Sequence, residues 1–367
     1  MTQNIVAIGS APSSGSTLLA DILDGQPFYT CGSETSLLTA LSQLPRLGKI
    51  ELCSSFITRD ICKRSLYIDW DGLCEYGINP SIFKQLWEQS SGLDNFLDQF
   101  TRRYFALRGK SPNSLFFEKT PTNAVFSSDI LSLNNVLGFV FIVRNPFYVV
   151  SSMLKRGYSP YSAAAAWIQC GTVIENINPA QKPIAVIKYE NIVDNPVAVL
   201  EDIQSSLKVI PGWLDKNNIL ENYISSPYRK FVSRRTVRTW KRTEYGVIKS
   251  ANHNISKEAF EVVRNMLDCR LSKHALRLYD FNCAPTMREL MEKYSYACEI
   301  SPDDDTFAVG EIRPKPLQPK ILVPRRAASD VKIFLKSLRS KPKLATKILI
   351  ARQNFLEVYG ENQGRDS

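Results

Sequence analysis

Histidine is nearly missing from these 367 residues: only His253 and His274 occur. Histidine is the side chain that changes charge near neutral pH, so proton transfer here falls to carboxylates, lysine or tyrosine. Eight cysteines stand at positions 31, 53, 62, 74, 170, 269, 283 and 298, and no two form a CxxC pair. That pattern supplies neither a zinc-ligand spacing nor a disulfide framework, and no metal site is expected. No apolar run approaches the roughly 20 residues of a membrane-spanning helix. The opening MTQNIVAIGS lacks the basic start and long apolar core of a secretory leader. These absences predict a soluble, cytoplasmic protein with no transmembrane segment.

Charge is also unevenly supplied. The chain carries a net +10, yet between Ile312 and Arg352 twelve Lys or Arg face a single acidic residue, Asp330. The body is therefore close to neutral. A basic balance attracts nucleic acid, but one confined to a tail says little about the body, and no nucleic-acid partner is expected. From Ser301 the texture changes: Asp303-Asp304-Asp305 and prolines at 302, 314, 316, 319, 324 and 342 read as a linker. Beyond it, Val331–Leu338 and Leu344–Val358 read as short basic amphipathic helices. They could dock on the body, bind a partner or rest peripherally on an acidic membrane; docking is the reading preferred. The expected layout is a body over 1–300, a Pro-rich linker over 301–330 and a basic helical extension over 331–367.

What the chain does contain is organised around Ile5–Leu23, IVAIGSAPSSGSTLLADIL. Ile5–Ile8 reads as a buried parallel strand. Gly9–Gly15 is a turn of small residues, and Leu18, Leu19, Ile22 and Leu23 fall at helical spacing from Ser16. Strand, small-residue loop and helix N-terminus make an anion cradle, because the first amides of a helix have no partner within it. The ATP-binding version requires Gly, four residues, then Gly-Lys-Ser/Thr. Here Ser10 occupies the first glycine's position and Ser16 the lysine's. Either the loop is structural or its anion needs no lysine.

Phe28–Thr30 is a short run after a turn, and further strands are predicted at Leu115–Glu118, Val136–Val143 and Ile184–Lys188. Helices are predicted over 81–88, 93–107, 161–178 and 196–207, and one beginning at Asn145-Pro146, a good cap followed by a proline suited to the first helical turn. Ser256–Leu271 reads as the last helix of the body. Alternating strands and helices give an α/β fold with a central parallel sheet flanked by helices. In such sheets ligands bind at the carboxyl ends of the strands. Lys119-Thr120-Pro121-Thr122-Asn123 is a polar cluster at one such end, and Arg144 stands at another. Ser152 and Arg156 lie one helical turn apart and could converge with Arg144 on a second anion. Glu34 has no Lys or Arg near it in sequence, though an acidic residue at a helix start is ordinary. Residues 229–242 are basic and hydroxyl-rich. They read as a solvated helix, a nucleic-acid patch or a cover over an anionic ligand.

Taken together, these stretches resemble the sulfotransferases that use 3′-phosphoadenosine-5′-phosphosulfate (PAPS), including the tyrosylprotein group, over roughly residues 4–283. Ala-Pro-Ser-Ser-Gly-Ser-Thr at 11–17 is similar to that family's Pro-Arg-Ser-Gly-Thr-Thr loop for the 5′-phosphosulfate. Asp24–Thr35 is similar to its Asp-x-x-Pro…Cys-Gly-Glu-Glu-Thr segment. The resemblance implies a sulfotransferase variant of the P-loop fold and a sulfotransferase that moves the PAPS sulfuryl group to a hydroxyl of a small-molecule, lipid or glycan acceptor. It implies Glu34 as general base and Lys119 as the lysine near the sulfuryl group. Donor contacts are implied for Ser13, Ser14, Gly15, Ser16, Thr17, Arg144, Ser152, Arg156, Tyr189, Ser233 and Arg234, with no metal required. Two departures stand out: Ser13 replaces the loop's basic residue, and Ser36 stands where the tyrosylprotein group has an arginine. Peptidyl-tyrosine sulfation is the alternative within the class. A P-loop kinase-like enzyme or a non-catalytic nucleotide-binding module is the alternative outside it.

Overall fold

The computed structural model describes residues 4–42, 72–73, 77–178, 182–209, 218, 255–298 and 356–358. Ser233, Arg234 and the whole 229–242 run lie outside the described residues, as do the linker and the first C-terminal helix of the sequence reading. The contacts divide the chain into two units. The first comprises residues 1–10, 14–143 and 177–251; the second comprises 11–13, 144–176 and 252–367.

The first unit is built on five parallel strands: β1 (Ile5–Ser10), β2 (Tyr29–Cys31), β3 (Leu115–Lys119), β4 (Val136–Val143) and β5 (Ile184–Lys188). Their order is β2-β3-β1-β4-β5. From β1 the chain builds one side of the sheet before crossing to the other, which marks the carboxyl end of β1 as a switch point where α/β sheets bind ligands. The apolar runs explain the central position of β1 and β4: Ile5–Ile8 and Phe139–Ile142 are wholly buried, as strands covered on both faces require. The register pairs Ile8 with Lys119 and with Val140, so Lys119 lies at the same sheet edge as the loop leaving β1.

Helices α1 (Ser16–Gly25), α2 (Leu37–Ser42), α3 (Pro80–Glu88), α4 (Leu93–Arg108), α5 (Ser127–Leu131), α8 (Tyr189–Asp194) and α9 (Pro196–Leu207) belong to this unit. Alternation along β3 shows how the faces are filled. Phe117 joins Leu19, Leu23, Val140, Ile142, Ile203 and Leu207 in one core cluster and meets the Tyr29 ring edge-on at 5.3 Å. Phe116, one residue earlier and so on the opposite face, meets Phe100 at 5.8 Å and Tyr104 at 5.3 Å, both on α4.

The second unit holds α6 (Pro146–Lys155), α7 (Pro160–Asn176), α10 (Lys257–Asn265), α11 (Lys273–Tyr279) and α12 (Met287–Lys293), with a two-stranded ribbon, β6 (Cys269–Leu271) and β7 (Leu356–Val358). Phe147 of α6 packs on Phe260 of α10 at 4.9 Å, and Gln169 of α7 donates to the Tyr279 hydroxyl at 2.7 Å. A Cβ on Gly171 would stand 2.7 Å from Leu290 Cδ1, so glycine lets α7 and α12 approach closely.

Three sequence expectations are corrected here. The helix read over Ser256–Leu271 ends at Asn265, and its last three residues form β6; two more helices follow before residue 298. Leu356–Val358, read as the end of a helix, is a strand paired antiparallel with β6, Cys269 opposite Val358 and Leu271 opposite Leu356. Hydrogen bonding to an open strand edge outweighs local helical spacing over so short a segment. Arg156 lies just past α6, as its C-cap, and not within the helix.

One buried ion pair ties α4 to the end of α1. Arg108 bonds Asp24, with both side chains almost wholly excluded from water, and Asp24 Oδ1 also accepts from the Cys31 amide at 3.0 Å. Lys110 adds donations to the Asp24 and Gln26 carbonyls. Breaking a buried pair by removing one partner leaves an uncompensated charge. Arg108→Met should therefore lower stability by about 3–5 kcal/mol in urea unfolding. Asp24→Asn in the same chain should recover part of that loss.

Candidate functional site

The loop after β1 supplies the first set of groups. Gly15 precedes α1 with φ 87°, and no side chain caps the helix. The amides of Leu18 and Leu19 return to the Gly15 carbonyl, which completes the first turn. By contrast α3, α6, α9, α10, α11 and α12 are each capped by an Asn, Ser or Thr side chain. Ser10 Oγ and Ser14 Oγ are buried with no hydrogen-bond partner among the described residues. Buried hydroxyls without partners beside an uncapped helix start suit an anion such as a phosphate or sulfonate. Tyr189, at the start of α8, lies with its ring against Gly15: a Cβ there would fall 2.0 Å from Tyr189 Cδ2. The glycine thus serves both the left-handed backbone and the close approach of the ring.

The second set lies at the end of β3. Glu34, isolated in sequence, finds its cation across 85 residues: Lys119 Nζ donates to Glu34 Oε1 at 3.1 Å. The Lys119 side chain is 4% exposed and that of Glu34 47%, so the carboxylate meets solvent while the ammonium is enclosed. Gly72 presses on the backbone behind it, where a Cβ would stand 2.1 Å from the Glu34 carbonyl oxygen.

Sequence reasoning overlooked the group beneath this pair. Glu118 is completely buried in β3. Its Oε1 accepts from the hydroxyls of Thr35 at 2.6 Å and Thr120 at 2.8 Å, and its Oε2 accepts from Asn123 Nδ2 at 2.5 Å. Thr120 Oγ1 in turn accepts from the amides of Thr35 and Ser36, and Asn123 also donates to the Ile8 carbonyl. Burial pushes the Glu118 carboxyl above the ordinary glutamate range, opposed by these donors and by the Lys119 charge. The available signal was a glutamate ending the apolar run Leu115–Phe117, followed by Lys-Thr-Pro-Thr-Asn. Cys31 is no alternative nucleophile: burial pushes its thiol well up, against the pull of Lys119.

In the second unit, two of the three residues expected at the 3′-phosphate meet at Ser13. Arg144 Nη1 donates to the Ser13 carbonyl at 2.9 Å, and Arg156 Nη1 donates to Ser13 Oγ at 3.1 Å. Arg144 also faces the Tyr148 ring at 5.5 Å, and Arg156 the Tyr158 ring at 5.7 Å. The Trp167 indole donates to the Arg144 carbonyl at 2.8 Å, fixing the backbone there. Ser13 has φ 67°. Ser152 lies on α6, partly buried. The charge that the loop lacks in sequence is thus present in space, on two arginines bonded to Ser13.

A profile of the sulfotransferase family matches residues 6–213, more than half of the chain. The chain belongs to the sulfotransferase family. It is 24% identical over 214 residues to a putative protein-tyrosine sulfotransferase of Caenorhabditis briggsae, covering 56% of this chain and 65% of that one. It is 24% identical over 233 residues to a protein-tyrosine sulfotransferase of Drosophila melanogaster, covering 61% and 41%. The chain therefore spans less than two thirds of either relative's length. Among solved structures, it aligns with the sulfotransferase domain of the Synechococcus PCC 7002 olefin synthase at 18% identity and a TM-score of 0.43, over 71% of this chain and 94% of that one. For a sulfotransferase, the loop without a Walker lysine fits the chemistry, because a transferable sulfonate carries one charge fewer than a terminal phosphate.

Gly15→Ala tests the loop. A left-handed residue with a Cβ costs about 1–2 kcal/mol, and here the methyl also meets the Tyr189 ring. The expected result is a lower unfolding midpoint by at least that amount, with the tyrosine fluorescence of the folded state altered.

Proposed function

We propose that this protein transfers the sulfuryl group of PAPS to an acceptor hydroxyl, with Glu34 as general base. The observation that carries the reading is the Glu34–Lys119 pair at 3.1 Å, placed by the Ile8–Lys119 register at the sheet edge where the anion loop begins. PAPS supplies the activated sulfuryl group. In the first unit, Ser14, Gly15, Ser16 and Thr17 offer amides and hydroxyls to its 5′-phosphosulfate, and the Ser14 hydroxyl gains the partner it lacks among the described residues. In the second unit, Arg144, Ser152 and Arg156 are the set for the 3′-phosphate. Arg144 and Arg156 also provide positive charge at Ser13, where the family's loop carries its own basic residue.

Sulfuryl transfer, like phosphoryl transfer, rests on in-line positioning and on electrostatic stabilisation of spreading charge. Glu34 Oε accepts the proton of the attacking hydroxyl, its exposure leaving it open to an acceptor. Lys119, enclosed beside it, stabilises the negative charge that gathers on the leaving phosphate oxygen. The acceptor class proposed is a hydroxyl on a small molecule, lipid or glycan. Peptidyl tyrosine is the second reading, favoured by the names of both curated relatives. Against it stands Ser36, which has no cation to offer an acidic peptide.

Calorimetry with 3′,5′-adenosine bisphosphate and with ATP separates this reading from a kinase or a plain nucleotide module. The bisphosphate should bind in the absence of Mg²⁺ and ATP should bind far more weakly; no binding of the bisphosphate overturns the reading. Glu34→Gln should lower transfer of labelled sulfate by about 10²–10⁴-fold while the bisphosphate still binds. Arg156→Ala should weaken bisphosphate binding by roughly 10–100-fold, the worth of one charge-assisted hydrogen bond.

A further inference from the structure

Glu118 is an odd residue to bury in a core strand. An apolar side chain would fill the space without desolvating a charge, and replacing buried ionic groups by apolar ones is often neutral or stabilising. What Glu118 does that an apolar residue cannot is accept. Each of its three neighbours is a donor: the hydroxyls of Thr35 and Thr120 on one oxygen, the Asn123 amide on the other.

The consequence runs outward from there. A threonine hydroxyl has one proton and two lone pairs. Thr120 sends its proton to Glu118, which turns its lone pairs toward the amides of Thr35 at 3.3 Å and Ser36 at 2.9 Å. Thr35 does the same on a smaller scale, donating to Glu118 and accepting from the Leu37 amide at 3.2 Å, at the first residue of α2. Asn123 ties the other carboxylate oxygen to the Ile8 carbonyl of β1 and accepts from the Thr39 hydroxyl of α2 at 2.9 Å. Ser36 is held at φ 54°, a left-handed backbone that a non-glycine residue keeps only where its surroundings over-determine it. From the other side, Gly72 lies against the Glu34 carbonyl. The two residues after Glu34 are bonded and its carbonyl is pressed, while its side chain stays half exposed beside Lys119.

We propose that Glu118, acting through Thr120 and Thr35, is a positioning residue that sets the Glu34 carboxylate against Lys119. What it positions Glu34 for rests on the sulfuryl-transfer reading; that it anchors the 34–36 backbone does not. A displacement of about 1 Å in a catalytic group can cost on the order of 10²-fold in rate, so the anchor should be visible in turnover more than in donor binding.

The decisive variant is Thr120→Val, nearly the same shape without the hydroxyl, with Thr120→Ser as the rescue and Glu118→Gln as the companion. If Glu118→Gln does not fold, the Val and Ser pair carries the test. Hydrogen exchange of the Thr35 and Ser36 amides should rise about tenfold or more in Thr120→Val, as expected for loss of a local hydrogen bond, with β1 unchanged. Turnover should fall by about 10²-fold, bisphosphate affinity should change by less than about threefold, and Thr120→Ser should restore both exchange and turnover. Unchanged exchange at Thr35 and Ser36 overturns the anchor. A parallel loss of bisphosphate affinity and unfolding midpoint overturns positioning in favour of a plain structural role. Failure of the wild-type protein to bind the bisphosphate overturns the sulfuryl-transfer reading instead, and the exchange result then decides the anchor alone.

Discussion

A charge with no access to water must be matched by donors at every lone pair it uses, and Glu118 meets that demand through residues drawn from separate parts of the chain. Thr35 comes from the segment after β2, Thr120 and Asn123 from the turn after β3, and through Asn123 the end of β1 is included. Losing any one of them would leave a buried polar group unsatisfied, which costs more than the bond itself contributes. The network therefore behaves as a unit. It joins the segment bearing Glu34 to the strand bearing Lys119, and it makes the separation of those two side chains a property of the sheet, not of a free loop.

The sheet was legible in the sequence because its strands are buried on both faces. Val136–Val143, Ile184–Lys188 and the helix Pro196–Leu207 have the limits that their apolar runs and prolines suggest. Boundaries drifted where the signal was short. Local spacing cannot distinguish the last turns of a helix from a three-residue strand when the partner of that strand is nearly ninety residues away, as it is for β6 and β7. Arg156 illustrates the same limit: its spacing from Ser152 suits a helix face, yet Gly157 at φ 87° ends the helix and leaves Arg156 as the cap.

The site was legible as a set of residue types and not as a set of partners. Glu34 and Lys119 could be named separately from their motifs, but nothing in either stretch gives their distance. Glu118 was hidden because a glutamate in a strand is ordinarily a solvated one; only burial exposes its three donors. Ser13 read as a deficit of charge in one dimension, and the two guanidinium groups that reach it come from residues 131 and 143 positions away.

The β6–β7 ladder joins two distant parts of the second unit. Each strand is only three residues long, and the paired residues stand 85 to 89 positions apart in the chain. The entropy cost of closing such a span grows only slowly with its length, so adding or removing a few residues between the two strands would change the cost of pairing them very little. A single backbone cut between α12 and β7 would convert that pairing from an intramolecular closure into an association of two fragments.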